Sequence, residues 1–123
     1  MIHVDDKIFL AGHNGMVGSS ILQLLKDKSF KNILTLPRAE LDLSERTHVE
    51  KFLELESPRV VIIAAAKVGG INANNSFPAE FIHENLMIQN NIIHGAYLTN
   101  VEKLIFLGSS CIYPKFSAQP MNE

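Results

Sequence analysis

Lys7-Ile8-Phe9-Leu10-Ala11-Gly12-His13-Asn14-Gly15-Met16-Val17-Gly18 runs a short apolar segment straight into glycines spaced G-x-x-G-x-x-G. Lys7 to Ala11 reads as a buried strand that stops at Gly12. From Met16 to about Lys28, the residues Val17, Ile21, Leu24 and Leu25 recur at helical spacing and predict an amphipathic helix. Each glycine has a distinct use in such a strand–turn–helix. Gly12 permits a tight turn, Gly15 lets the backbone approach a pyrophosphate, and Gly18 lets the helix pack close to the sheet. The helix N-terminus favours the anion. Glycines alone are a weak signal, because turns use them freely; their place between a strand and a helix makes dinucleotide binding the expectation.

Working outward, the same alternation continues. Asn32 to Leu36 predicts a second strand, broken by Pro37. Ser44 is placed to cap a helix with Glu45 in its first turn and with Val49, Phe52 and Leu53 on its inner face. Pro58 separates that helix from Val60-Val61-Ile62-Ile63-Ala64, an unbroken apolar run of the kind seen in parallel strands covered on both faces. Gly69-Gly70 and Asn72-Ala73-Asn74-Asn75 read as a loop. A long helix follows, capped by Ser76 or a neighbour, with Pro78 in its first turn and its end near Leu98. Lys103 to Leu107 is the last strand, and the tail from Tyr113 to Glu123 has no periodicity. Right-handed crossovers turn this order into an α/β fold, a Rossmann-type doubly wound parallel sheet cut off after about four strands. Residues 1–123 are read as one unit, the amino-terminal part of a dinucleotide-binding domain, without a substrate domain.

Composition agrees. Of 123 residues, 46% are hydrophobic and 20% charged, which suits an ordinary globular domain rather than a disordered chain. A formal charge of −2 argues against a broad electrostatic footprint for nucleic acid or anionic lipid. The longest wholly apolar run, Val60 to Ala66, is far short of the ~20 residues needed to span a bilayer. The first residues lack the basic-then-apolar layout of a signal peptide, and a single cysteine excludes an internal disulfide. The expectation is a cytoplasmic domain. His3, His13, His48, His83 and His94 share no spacing with carboxylates that implies a metal site.

The second strand's end speaks to the choice of dinucleotide. NAD-binding domains place an acid there for the ribose 2′-hydroxyl. This chain has Arg38, whose guanidinium suits a 2′-phosphate and favours NADP, although Glu40 and Asp42 follow closely and keep an acid within reach. Asp42, with Leu43 beside it, is a candidate acceptor for an adenine amino group; turn and cap chemistry with Ser44 accounts for it equally well. Ala64-Ala65-Ala66 offers small side chains on the sheet's carboxyl edge, where a ring or ribose can lie against backbone. Lys67 sits just beyond.

Three segments resemble a known family: Ala11-Gly12-His13-Asn14-Gly15-Met16-Val17-Gly18, Ala64-Ala65-Ala66-Lys67-Val68-Gly69-Gly70-Ile71 and Leu107-Gly108-Ser109-Ser110-Cys111-Ile112-Tyr113-Pro114. They are similar to the GDP-L-fucose synthases of the extended short-chain dehydrogenase/reductase superfamily. The resemblance implies epimerisation of a nucleotide-sugar substrate, GDP-4-keto-6-deoxy-D-mannose, at C3 and C5, then reduction of its 4-keto group with NADPH. It implies that Gly12, His13, Asn14, Gly15, Met16, Val17 and Gly18 cradle the pyrophosphate and that Arg38 meets the 2′-phosphate. Ala65 and Lys67 join the cofactor set, and Leu107, Gly108 and Ser110 line the nicotinamide side. Ser109 is implied to hydrogen-bond the substrate carbonyl, and Cys111 to act as an acid/base group in epimerisation. A hydroxyl that polarises a ketone acidifies the neighbouring C–H bonds, and a thiol with a pKa near neutrality can exchange those protons.

Two departures stand out. Asn14 occupies a position that some relatives fill with Arg, so it brings a hydrogen bond rather than charge. The superfamily's Tyr-x-x-x-Lys pair is missing, since Tyr97 is followed four residues later by Val101 and Tyr113 by Ser117. These residues therefore read as the amino-terminal cofactor half of a reductase, inactive alone. A non-catalytic dinucleotide-binding module and a related NAD-dependent epimerase or dehydratase are the alternatives. On the long helix, Phe81, Asn85, Ile88 and Ile92 form one stripe and Ile82, Leu86, Ile93 and Tyr97 another. Two stripes suit one face on the sheet and one against the missing part of the fold or a second copy, a homodimer through residues 78–98.

Overall fold

The computed structural model describes residues 2–109, 112–114 and 116–121. Strands β1 (Ile8–Ala11), β2 (Ile33–Leu34), β3 (Val60–Ile63) and β4 (Lys103–Phe106) form one sheet in the order β2-β1-β3-β4. All pairs are parallel, with Ile8 opposite Ile33 on one side and Val60 on the other, and Val60 opposite Lys103. The helices are α1 (Met16–Asp27), α2 (Arg46–Glu56), α3 (Ile71–Ser76) and α4 (Pro78–Leu98). This is the doubly wound arrangement expected from the alternation of strand and helix.

Successive strand side chains point to opposite faces, and every residue of β1 and β3 is buried. Ile8, Leu10, Val60 and Ile62 pack on the α1 side with Ile21, Leu22 and Leu25. Phe9, Ala11, Val61 and Ile63 pack on the other side with Val49 and Leu53 of α2 and with Ile88 and Ile92 of α4. Phe52 meets Phe9 edge-on at 4.7 Å between ring centres. Gly95 brings α4 close to α2, because a Cβ there would stand 2.8 Å from Leu53 Cδ1.

The structure differs from the sequence reading at five points. In α1, Val17 and Leu24 are half exposed, and Leu22 takes an inward place. The near-contact of Gly18 with the glycine turn sets the rotation of the helix. The second strand keeps only Ile33 and Leu34, because Pro37 begins a turn whose carbonyl accepts from the N–H groups of Glu40 and Leu41. Glu45 rather than Ser44 stands at the start of α2, with no side-chain cap. Ser44 is drawn back to Asp42, whose Oδ1 accepts from its N–H at 2.9 Å and its hydroxyl at 2.7 Å. Residues read as loop form the short helix α3, too brief and polar to show a period. It is seated where Gly69 lies so close to Phe81 that a Cβ would meet the ring at 2.7 Å. Ser76 ends α3 and does not cap α4, which opens on Pro78 with Phe77 before it.

At the amino ends of the strands, Arg59 ties three segments together. Its Nη1 donates to both carboxylate oxygens of Asp6, at 2.7 and 2.9 Å, and its Nη2 donates to Glu102 at 2.8 Å. Asp6 is held below the usual carboxylate range, first by the His3 N–H and then by Arg59. Among the described residues, no helix is long and apolar enough to cross a membrane.

Candidate functional site

The carboxyl ends of β1, β2 and β3 open on a cleft of about 240 Å³. Open α/β sheets take ligands in this position, where the chain leaves the central strand to one side and returns on the other. The glycine turn forms one wall. Gly12 has φ +87°, and a Cβ on it would lie 2.5 Å from the Ala65 nitrogen. A Cβ on Gly18 would lie 2.0 Å from the Gly12 carbonyl oxygen. The chain's own packing therefore demands glycine at both positions.

Gly15 differs. Its φ of −74° suits any residue, and a Cβ there would meet only the Gly12 oxygen, at 3.4 Å. Among the described residues, nothing requires glycine at this point. The open space lies where α1 begins, and that helix starts without a side-chain cap. Bare backbone at Gly15 and the start of α1 thus lie at the cleft where a pyrophosphate would sit, so the residues present fit a dinucleotide.

The opposite wall carries charge. Arg38 donates from Nη1 to Glu84 Oε1 at 2.8 Å and from Nε to Asp42 Oδ2 at 3.4 Å. Lys67 donates from Nζ to Glu84 Oε2 at 2.7 Å, and lies 5.5 Å from the centre of the Phe81 ring. Asn85 holds the Lys67 peptide from both sides: its Oδ1 accepts from the Lys67 N–H at 2.7 Å and its Nδ2 donates to the Lys67 carbonyl at 3.0 Å. The Asn85 side chain is thus satisfied by a loop backbone, as its place on an apolar stripe predicts. The buried Asn91 donates to the carbonyls of Leu43 and Ser44, at 3.0 and 2.9 Å, and pins the cleft's far lip to α4.

These contacts set the ionisation of the wall. Glu84 is held below the usual carboxylate range, chiefly by the Lys67 ammonium and then by Arg38. Arg38 is raised, mainly through its bond to Glu84. Asp42 is lowered by the Ser44 hydroxyl and N–H before Arg38 contributes. The turn chemistry weighed for Asp42 is therefore present, and an adenine amino group would share an oxygen that already accepts.

Of the cofactor residues named from sequence, Gly12, His13, Asn14, Gly15, Arg38, Asp42, Leu43, Ala65 and Lys67 line this one cleft. Met16 and Val17 stand in the first turn of α1 with exposed side chains outside the lining, and Gly18 is buried behind the turn. Leu107, Gly108 and Ser109 follow β4 at the same edge of the sheet, with the Leu107 N–H donating to the Ile63 carbonyl at 3.3 Å. Ser110 and Cys111 lie outside the described residues. The sequence reading missed Glu84, Leu36 and Leu41. Glu84 sits 46 residues from Arg38, and only the fold brings the two together.

The model of the NAD dependent epimerase/dehydratase family matches residues 8–123. The chain belongs to that family. Among individual members, it is 57% identical to GDP-L-fucose synthase 1 of Arabidopsis thaliana and 50% identical to GDP-L-fucose synthase of Escherichia coli. Both matches cover 95% of this chain. The chain spans 36% of the length of each of these curated relatives. A solved structure of a GDP-mannoheptose C4 reductase from Campylobacter jejuni with NADP bound superposes on 99% of the chain, with a TM-score of 0.94 and 40% identity. It covers 38% of that chain.

Proposed function

We propose that this chain binds NADP(H) in the cleft described above. In this reading it forms the cofactor half of an enzyme that converts GDP-4-keto-6-deoxy-D-mannose to GDP-L-fucose by 3,5-epimerisation and 4-keto reduction. The observation that carries the reading is the open backbone at Gly15, which shares one cleft with the Arg38 guanidinium. The identity to GDP-L-fucose synthases and the NADP in a similar structure support it. When bound, the nicotinamide would supply the hydride. The chain's own residues would hold the cofactor and orient and polarise the sugar, with the proton for the reduced ketone coming from outside residues 1–123. Backbone at Gly12 to Gly15 would receive the pyrophosphate, Arg38 the 2′-phosphate, and Ala65 with Lys67 the face beside the ribose. Ser109, just past β4 on the carboxyl edge, would donate a hydrogen bond to the sugar ketone, and Cys111 would exchange the protons beside it.

Arg38→Gln tests the assignment. A charge-assisted hydrogen bond is worth ~1.5–3 kcal/mol, and Arg38 is exposed and already shared with two carboxylates, so the lower end applies. Fluorescence titration should show NADPH affinity falling about tenfold while NADH affinity stays within about twofold. Equal losses for both, or a clear NADH preference in the wild type, would instead point to an NAD-dependent epimerase or dehydratase. Because Tyr97 and Tyr113 are not followed by a lysine four residues on, residues 1–123 alone should bind NADPH without oxidising it in the presence of the keto sugar. Turnover by those residues alone would refute this part.

We propose in addition that α4 pairs two copies of the protein. Its outer stripe, Ile82, Leu86, Ile93 and Tyr97, is exposed on one side of the helix. Sedimentation velocity should find a dimer that Ile93→Glu converts to monomer, and a wild-type monomer would dismiss the pairing.

A further inference from the structure

The charged wall of the cleft contains two cations and two carboxylates: Arg38 and Lys67 against Asp42 and Glu84. Glu84 is the hinge of this group, since its two oxygens are divided between the two cations, at 2.8 Å to Arg38 and 2.7 Å to Lys67. Its side chain is 17% exposed, whereas that of Arg38 is 68% exposed. The acid is therefore held inside the wall and the guanidinium faces water. A dianionic group arriving at Arg38 would meet a cluster with no net charge. It would also lie within a Debye length, about 8 Å at physiological salt, of a fixed carboxylate. An uncharged ribose hydroxyl would feel neither effect.

We infer that Glu84 tunes the specificity that Arg38 gives the cofactor site: by dividing its carboxylate between Arg38 and Lys67, it limits the advantage of a 2′-phosphate over a 2′-hydroxyl. This inference rests on the proposed dinucleotide site and adds a residue from α4, distant in sequence from both the glycine turn and the second strand. Glu84 acts through the charge of its neighbours and needs no contact with the cofactor. Glu84→Gln keeps the shape and one acceptor oxygen but removes the charge, leaving Arg38 and Lys67 with a net positive field.

The experiment is a paired titration of the wild type, Glu84→Gln and Glu84→Asp with NADPH and NADH, read by nicotinamide fluorescence. Glu84→Gln should tighten NADPH binding by roughly three- to tenfold more than NADH binding, because the pyrophosphate is common to both cofactors and only NADPH adds a 2′-phosphate at Arg38. Glu84→Asp, which keeps the charge, should retain the wild-type ratio. The NADPH gain in Glu84→Gln should shrink as salt is raised. A general loss of structure would weaken both cofactors together and leave their ratio unchanged, so an unchanged or lowered NADPH-to-NADH preference overturns the role of Glu84. Failure of the wild type to bind either cofactor would overturn the dinucleotide site itself and this inference with it.

Discussion

Gly18→Ala lowers the melting temperature by roughly 10 °C or more, and Gly12→Ala does at least as much. An added Cβ on Gly18 falls 2.0 Å from the Gly12 carbonyl oxygen, and one on Gly12 falls 2.5 Å from the Ala65 nitrogen. Both obstacles are backbone, so no side chain can swing aside. Overpacking a tight core costs ~1–3 kcal/mol and sometimes more. Gly12 adds the ~1–2 kcal/mol that an L-residue incurs in the left-handed region, since its φ is +87°. A loss near 3 kcal/mol corresponds to the stated shift for a domain of this size. Thermal unfolding followed by circular dichroism measures it; a change of under about 2 °C in either variant would show that the turn can relax.

Gly15→Ala should behave in the opposite way. Its Cβ meets nothing closer than the Gly12 oxygen at 3.4 Å, and its φ of −74° is ordinary, so the melting temperature should stay within about 2 °C. The methyl group would stand where backbone amides at the start of α1 are read as approaching a pyrophosphate. Displacing charge-assisted hydrogen bonds of ~1.5–3 kcal/mol should weaken NADPH and NADH alike, by about tenfold to a hundredfold. Equal loss for both separates this effect from that of Arg38, which should respond to the 2′-phosphate alone. A stable Gly15→Ala variant with undiminished affinity would remove the pyrophosphate from this turn.

The contrast between these glycines marks how far local sequence reaches. The strand, glycine turn and helix are legible in it because the apolar run, the glycine spacing and the helical period are local patterns, although the approach of Gly12 to Ala65 is not. The burial of β1 and β3 on both faces is legible from unbroken apolar runs, the pattern of covered parallel strands. The rotation of α1 is not, because the choice of Leu22 over Leu24 follows from how near Gly18 comes to Gly12, a distance no periodicity encodes. Ser44 has the chemistry of a helix cap and instead closes a turn on Asp42; both uses draw on the same short hydroxyl side chain. Glu84 is hidden for a simpler reason. It lies in the second turn of a long helix, and only the return of α4 over the strand ends brings it to Arg38 and Lys67.

The Asn85 side chain presents one acceptor and one donor to the Lys67 peptide, which is what a neighbouring strand would present. In effect it supplies one more rung to the sheet, past the last residue of β3, from a helix. A rung of this kind indexes α4 mechanically: sliding the helix by a turn along the sheet, or rolling it, would break both bonds at once. Glu84 is the adjacent residue and shares that registration. The charge balance of the cleft is thereby keyed to the backbone of the loop it serves, and a cofactor entering the cleft would meet a wall whose alignment is already set.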